Sequence, residues 1–143
     1  MVAVLFVGAM MLPYSKMPKI AKSYYLYQAA KSLHNKRKTQ ESEAKARTGL
    51  EFSKEIYGEN DNLTANYRNL LGVDLYEQQK YPEAEQNFIG AMTFWEKRPE
   101  NYMPELATLY ANYAKLLRNT GKEALAKEYF GKAEKINAAR QMR

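Results

Sequence analysis

The sequence predicts an all-α fold built as a stack of about three helical hairpins, and three observations carry that reading. Apolar residues recur at helical spacing along residues 23–138, and no stretch alternates with a strand period long enough to compete. One amphipathic pattern also returns at a fixed offset of 42 residues. Along that offset Ala30, Gly72 and Ala114 align, as do Leu33, Leu75 and Leu117, then Gly49, Ala91 and Ala133, and Phe52, Phe94 and Ile136. A helical hairpin cannot bury both of its faces alone, so a repeated hairpin stacks on its neighbours.

Taken in order, the chain opens on the apolar run "MVAVLFVGAMML", too short to span a bilayer as a helix. It has the length of a signal-peptide apolar region, and Val7-Gly8-Ala9 supplies small residues of the type a cleavage site prefers. No Lys or Arg precedes it, however. Three readings stay open: a signal whose basic start lies upstream, an element that packs on the domain, or the ragged end of a fragment. Residues 1–19 are set apart on this ground from a repeat domain over 20–140. Compartment stays open with them: cytoplasmic, or exported and periplasmic if residues 1–12 belong to a signal, which would also be the only membrane contact.

The first hairpin is predicted over 23–37 and 41–57, with Gly58 as its C-terminal stop. In 64–78, Tyr67, Leu70, Leu71 and Leu75 share one helical face. In 82–97, Pro82 suits a helix start, Ala84, Phe88, Ala91, Met92 and Trp95 form the stripe, and Pro99 ends it. Pro104 opens 104–119, whose face carries Leu106, Leu109, Tyr110, Tyr113 and Leu117. Gly121 punctuates the turn into 122–138, with Ala126, Phe130, Ala133 and Ile136 apolar. Small residues in the 30/72/114 and 49/91/133 columns let paired helices approach closely.

Composition narrows the function. The 143 residues are 45% apolar and 27% charged, which places the chain among folded domains. Without cysteine there is no disulfide framework, thiolate zinc site or cysteine nucleophile. The net charge of +6 is segregated: residues 1–47 carry +7, 48–110 carry −6 and 111–143 carry +5. Positive ends around an acidic middle favour contacts with proteins, or between copies, over a phosphate track.

The segment "NLLGVDLYEQQKYPEAEQNFIGAM" resembles the tetratricopeptide repeat through Leu71-Gly72, Leu75, Tyr81, Ala84, Phe88 and Ala91. Tyr113-Ala114, Leu117, Gly121, Ala126, Phe130 and Ala133 repeat the signature. The 42-residue period and the polar connector "GENDN" are similar to the kinesin-light-chain type. The repeats fall at about 23–58, 65–100 and 107–138, and the first is degenerate, with Ser42 and Ala46 where Ala and an aromatic are expected. The resemblance implies an α-solenoid with a right-handed superhelix, whose concave face is lined by the first helix of each hairpin and holds a peptide. Carried over by column, that face comprises Tyr24, Tyr27, Lys31, His34 and Asn35 from repeat 1. Repeat 2 gives Asn66, Asn69, Val73, Tyr76 and Glu77, and repeat 3 gives Thr108, Ala111, Lys115, Arg118 and Asn119. Asn side chains would donate to and accept from a peptide backbone, while Lys115 and Arg118 would meet a carboxylate. Family members that clamp a C-terminal carboxylate use positions that are here Tyr27, Lys31, Leu70, Thr108 and Asn112. Only Lys31 keeps the charge, so that specialisation is not expected.

Several residues have plainer readings. His34 is the only histidine, and its helical neighbours Ala30 and Lys38 cannot orient it as a base, so it is expected to face solvent or the groove. Glu83 and Glu85 suit a helix N-terminus. Trp95, Tyr25, Tyr67, Tyr110 and Tyr113 read as packing, and "NKRKTQ" as a solvated basic turn. No phosphate loop, nucleophile elbow or metal-ligand spacing occurs, so the sequence predicts no enzyme, cofactor or metal. The expected function is a non-catalytic module that binds a protein or peptide partner. A structural or self-associating element is the alternative, and an RNA-binding helical repeat is the weaker rival.

Overall fold

The computed structural model of the protein describes residues 12–142; the apolar run read as a possible signal lies outside them except for Leu12. After a 3-10 turn at Tyr14–Lys16 come six α-helices. They are α1 (Lys19–Asn35), α2 (Thr39–Tyr57), α3 (Asn62–Glu77), α4 (Tyr81–Trp95), α5 (Met103–Asn119) and α6 (Glu123–Gln141), with a second 3-10 turn at Pro99–Asn101. No strand occurs among the described residues, and no helix there is long and apolar enough to cross a membrane. α1 starts four residues before the predicted position, directly after Pro18, and α6 runs three further than predicted, to Gln141. Each helix pairs most closely with its hairpin partner, and the hairpins stack through α2 against α3 and α4 against α5.

The 42-residue period is written into the backbone of the turns. Arg37, Gln79 and Gly121 occupy the same column and all three are left-handed, at φ 61°, 62° and 81°. In each turn the next residue, Lys38, Lys80 or Lys122, donates its N–H to the carbonyl of Leu33, Leu75 or Leu117 at 2.8–2.9 Å. Arg37, Gln79 and Gly121 donate to the carbonyls of His34, Tyr76 and Arg118. This is the paired bond that closes a helix at a left-handed residue.

The same turn lysines also join the repeats. Lys80 Nζ lies 3.1 Å from Glu43, and Lys122 Nζ 3.0 Å from Glu85, one period apart on both sides. Arg47 bridges Glu43 and Glu83 at 2.8 and 2.6 Å. Part of the charge segregation along the chain is therefore neutralised between hairpins. Glu43 is buried but its cationic partners are about half-exposed, so each pair contributes about 1 kcal/mol or less and these contacts set stacking register more than stability.

Stability comes from the core between the helices. Trp95, Tyr67, Phe88, Leu71, Leu75, Leu106, Leu109, Leu116 and Leu117 are fully buried. The small columns do what their size predicts: Ala30, Gly72 and Ala114, and Gly49, Ala91 and Ala133, are all buried. A Cβ on Gly72 would stand 2.6 Å from the Phe88 ring, and one on Gly49 would collide with the Tyr67 ring. Trp95 also donates through Nε1 to Asn62 Oδ1 at 3.0 Å, tying α4 to the start of α3. One tyrosine departs from the packing expectation. Tyr25 is 38% exposed and leans on the Tyr14 ring at 5.6 Å, because its face of α1 looks away from α2 and α3.

Candidate functional site

The first helices α1, α3 and α5 share one concave face, and it holds a depression of about 550 Å³. α1 contributes Tyr27, Lys31, His34 and Asn35; α3 contributes Asn66, Asn69, Leu70 and Val73. These residues follow one another at three- and four-residue steps, the helical rule for a shared face. α5 contributes Pro104, Glu105, Thr108 and Asn112. Four asparagines on three helices give the surface mixed donor and acceptor character.

Eight of the fifteen residues assigned to the face thus line the depression: Tyr27, Lys31, His34, Asn35, Asn66, Asn69, Val73 and Thr108. The other seven do not. Tyr24 turns to Tyr57, with ring centroids 6.5 Å apart. Tyr76 packs on Tyr81 and its hydroxyl accepts from Asn119 Nδ2 at 2.9 Å. Glu77 accepts from Thr39 Oγ1 at 2.9 Å. Ala111 is half-buried beside the core. Lys115 is exposed, and Arg118 lies 5.6 Å over the Phe130 ring, so neither is placed to meet a carboxylate in the depression. On α5 the lining shifts toward the N-terminal end, which brings in Pro104 and Glu105. In the sequence Pro104 reads only as a helix start. All five positions of the carboxylate clamp, including Leu70 and Asn112, do line the depression, with the altered residue types.

Behind its floor lies a polar row that joins three helices. Asp74 is fully buried on α3. Its Oδ1 meets His34 Nδ1 at 2.8 Å, and its Oδ2 meets Ser42 Oγ at 2.6 Å. Ser42 Oγ is also 2.9 Å from the Ala30 carbonyl. His34 is therefore oriented after all, by a residue forty positions away rather than by its helical neighbours. The contact of Nδ1 with the carboxylate holds the imidazole, and His34 lines the depression. Ser42, the departure from the repeat signature, supplies a hydroxyl that a signature Ala would lack. Burial pushes the Asp74 carboxyl above the usual carboxylate range, against the pull of Ser42 and His34.

Chemically, the row is not a nucleophile–base arrangement, because the serine bonds the carboxylate and not the imidazole. His34, Asp74 and Glu77 each place one potential metal-ligand atom within 4.8 Å of the others, a grouping that the sequence, read without metal-ligand spacing, had not shown. Both Asp74 oxygens are nevertheless engaged, and Glu77 accepts from Thr39, so the cluster is satisfied as a hydrogen-bond network.

At the other side of the depression, Tyr27 packs edge-on to Tyr67 at 5.3 Å. Burial raises its hydroxyl above the ordinary tyrosine range, and the charge of Glu105 raises it further. The buried Tyr67 hydroxyl donates to the Ser23 carbonyl, so the aromatic wall is fixed from behind.

Comparison with known proteins agrees with this architecture. The solved structure of BtubC (BKLC) from P. vanneervenii matches at a TM-score of 0.74 and 21% identity, over 83% of this chain and 48% of that one. The chain thus spans about half the length of the BtubC structure. The tetratricopeptide-repeat domain of Arabidopsis FLU matches at a TM-score of 0.73 and 16% identity, over 88% of this chain and all of that domain. Among curated protein sequences, none matches. The tetratricopeptide-repeat family model matches residues 69–139, the two hairpins in which the signature is fullest. The model match places residues 69–139 in the tetratricopeptide-repeat family, and the two structural likenesses show that the hairpin stack as a whole shares that fold.

Proposed function

We propose that the protein is a non-catalytic interaction module, with residues 19–141 as the working unit, that holds a peptide segment of a partner in the concave depression. Repeat proteins of this family generally serve as interaction or scaffold modules and bind protein partners. The observation that carries the finer reading is the depression itself. It is built from the first helix of all three hairpins and lined by Asn35, Asn66, Asn69 and Asn112. An extended peptide offers alternating N–H and C=O groups, and an asparagine amide can answer either. The frame is ordered before binding, so the ordering cost falls on the peptide alone.

A random peptide library displayed to the full chain tests this. An Asn66→Ala/Asn112→Ala variant, matched to the wild type by circular dichroism, should lose about tenfold or more in affinity for the selected peptides. Equal retention by both proteins would refute the groove. Concentration-dependent sedimentation, or a steep salt dependence of RNA binding, would point instead to self-association or to a nucleic-acid partner.

A further inference from the structure

The polar groups of the depression are unevenly supplied. Two of its buried atoms, Asn69 Oδ1 and Glu105 Oε2, have no hydrogen-bond donor among the described residues. Both are acceptors. Glu105 lies in the first turn of α5, where the helix N-terminus favours negative charge. That accounts for the sign of the residue but not for a buried carboxylate oxygen without a donor, which folded proteins rarely leave. The basic groups nearby are committed or misplaced. Lys31 lines the same depression but is exposed and forms no ion pair with Glu105. His34 gives Nδ1 to Asp74, and Arg118 sits over Phe130 outside the depression.

We propose that the depression selects a peptide segment carrying a basic side chain, whose ammonium or guanidinium group donates to Glu105 Oε2, with Asn69 Oδ1 as second acceptor. This deepens the groove reading and rests on it. The polarity is opposite to the carboxylate expected from Lys115 and Arg118. A guanidinium presents five donors in a plane and an ammonium three, so either has donors for more than one acceptor. A neutral donor would satisfy one oxygen yet leave the carboxylate charge without a counterion in a half-enclosed site. Tyr27 borders the same space and offers a ring beside which a cation is held favourably.

A positional-scanning nonapeptide library, each pool fixing one residue at one position, tests this on the full chain. Pools fixing Lys or Arg at one position should be retained above pools fixing Ala, and pools fixing Asp or Glu there should be depleted. Glu105→Gln keeps the shape and should erase the preference for basic pools, weakening them about tenfold. Glu77→Gln, which alters an acid outside the depression, should leave it intact. N-acetyl-arginine amide gives a second readout: its titration should shift NMR signals of residues 27, 69 and 105 in the wild type and not in Glu105→Gln. Retention that depends on Asn66 and Asn112 but shows no basic preference would overturn this inference and leave the groove standing. Retention indifferent to those asparagines, or no retention of any pool, would overturn both.

Discussion

Gly72→Ala separates the packing argument from the repeat pattern, because the two make opposite forecasts. Columns 30 and 114 hold Ala, and Ala in a helix interior gains about 1 kcal/mol over Gly, so the pattern alone forecasts a more stable protein. The structure forecasts the reverse. The new Cβ would lie 2.6 Å from Cδ1 and Cε1 of Phe88 and 3.2 Å from Cγ, where carbon contacts settle near about 3.5–4.0 Å. Phe88 is fully buried and packs against the Tyr113 ring at 6.3 Å, so the ring has nowhere to retreat. Overpacking of this kind costs about 1–3 kcal/mol, and two ring carbons in collision place it in the upper half. After the propensity gain, the net loss is about 1–2 kcal/mol. Repeats 1 and 3 escape the conflict in different ways. The column of Phe88 is Ala46 in repeat 1, and in repeat 3 Phe130 is only half-buried, beneath Arg118. Urea unfolding followed by circular dichroism and by Trp95 fluorescence measures the loss. Gly131→Ala in α6, with no atom within 4 Å of the added Cβ, serves as control and should gain about 0.5–1 kcal/mol. In a Phe88→Leu background the cost of Gly72→Ala should fall by about 1 kcal/mol. The reasoning is refuted if Gly72→Ala equals or exceeds the wild type, or if its cost is unchanged beside Leu at 88.

Four further outcomes are expected. Gln79→Gly and Arg37→Gly should each stabilise by up to about 1 kcal/mol in urea midpoints, because both residues hold a left-handed conformation that Gly121 adopts without strain; loss of stability in both would contradict this. Burial raises the Asp74 carboxyl, so the folded protein holds that proton more tightly than the unfolded chain, and the resulting support is lost as pH rises above the unfolded value of about 3.9. Wild type should therefore lose stability relative to Asp74→Asn as pH climbs through that window, and a relative gain would reverse the assignment. Trp95→Phe should cost about 1–2 kcal/mol through lost volume and the lost bond to Asn62, read from the thermal midpoint; a neutral change would mean that the indole is not packed as described. Amide exchange should be slower in α3 than in α6, since among the described residues α6 has no helix packed on its far side and buries only Ala126 and Ala133; equal protection would deny that ranking.

What could be read in the sequence was whatever is local or periodic. Helical spacing marked the stripes of α3 to α6 because each stripe is decided within a few turns, and the small columns were visible because the period exposes them three times over. Gly121 was readable as punctuation. Arg37 and Gln79 were not, since neither residue type announces a left-handed turn; only their place one and two periods before Gly121 does. The His34–Asp74 contact was hidden for a different reason. It joins different helices across forty residues, and Asp74 has Ser32 and Leu116 in its column, so the period offers no hint of a buried carboxylate. The face of α1 and α3 was located well by column, while on α5 the lining slid toward Pro104 and Glu105. A column preserves position along the helix, whereas a curved stack rotates each successive hairpin against the one before. That rotation accumulates with distance and falls hardest on the last repeat.

The two sides of the depression are held by different kinds of contact. On the α1–α3 side, Ser42 and His34 converge on Asp74 behind the floor, and Tyr67 reaches the Ser23 carbonyl. The Ser42 and Tyr67 bonds are buried and the His34 bond partly so; together they join three helices, and breaking either buried one would leave an unsatisfied group, a penalty of about 1–3 kcal/mol. The α5 side is held to repeat 2 by partly exposed contacts, Tyr113 to Glu85 at 3.0 Å, Lys122 to the same carboxylate and Tyr110 to Glu96 at 2.6 Å. The α4–α5 interface is also thinner than that between α2 and α3, with a seven-residue connector (96–102) in place of the four residues 58–61. Glu105 rides on α5, opposite the α1–α3 side. In the proposed complex a cation at Glu105 would therefore engage the side of the depression with fewer buried cross-links.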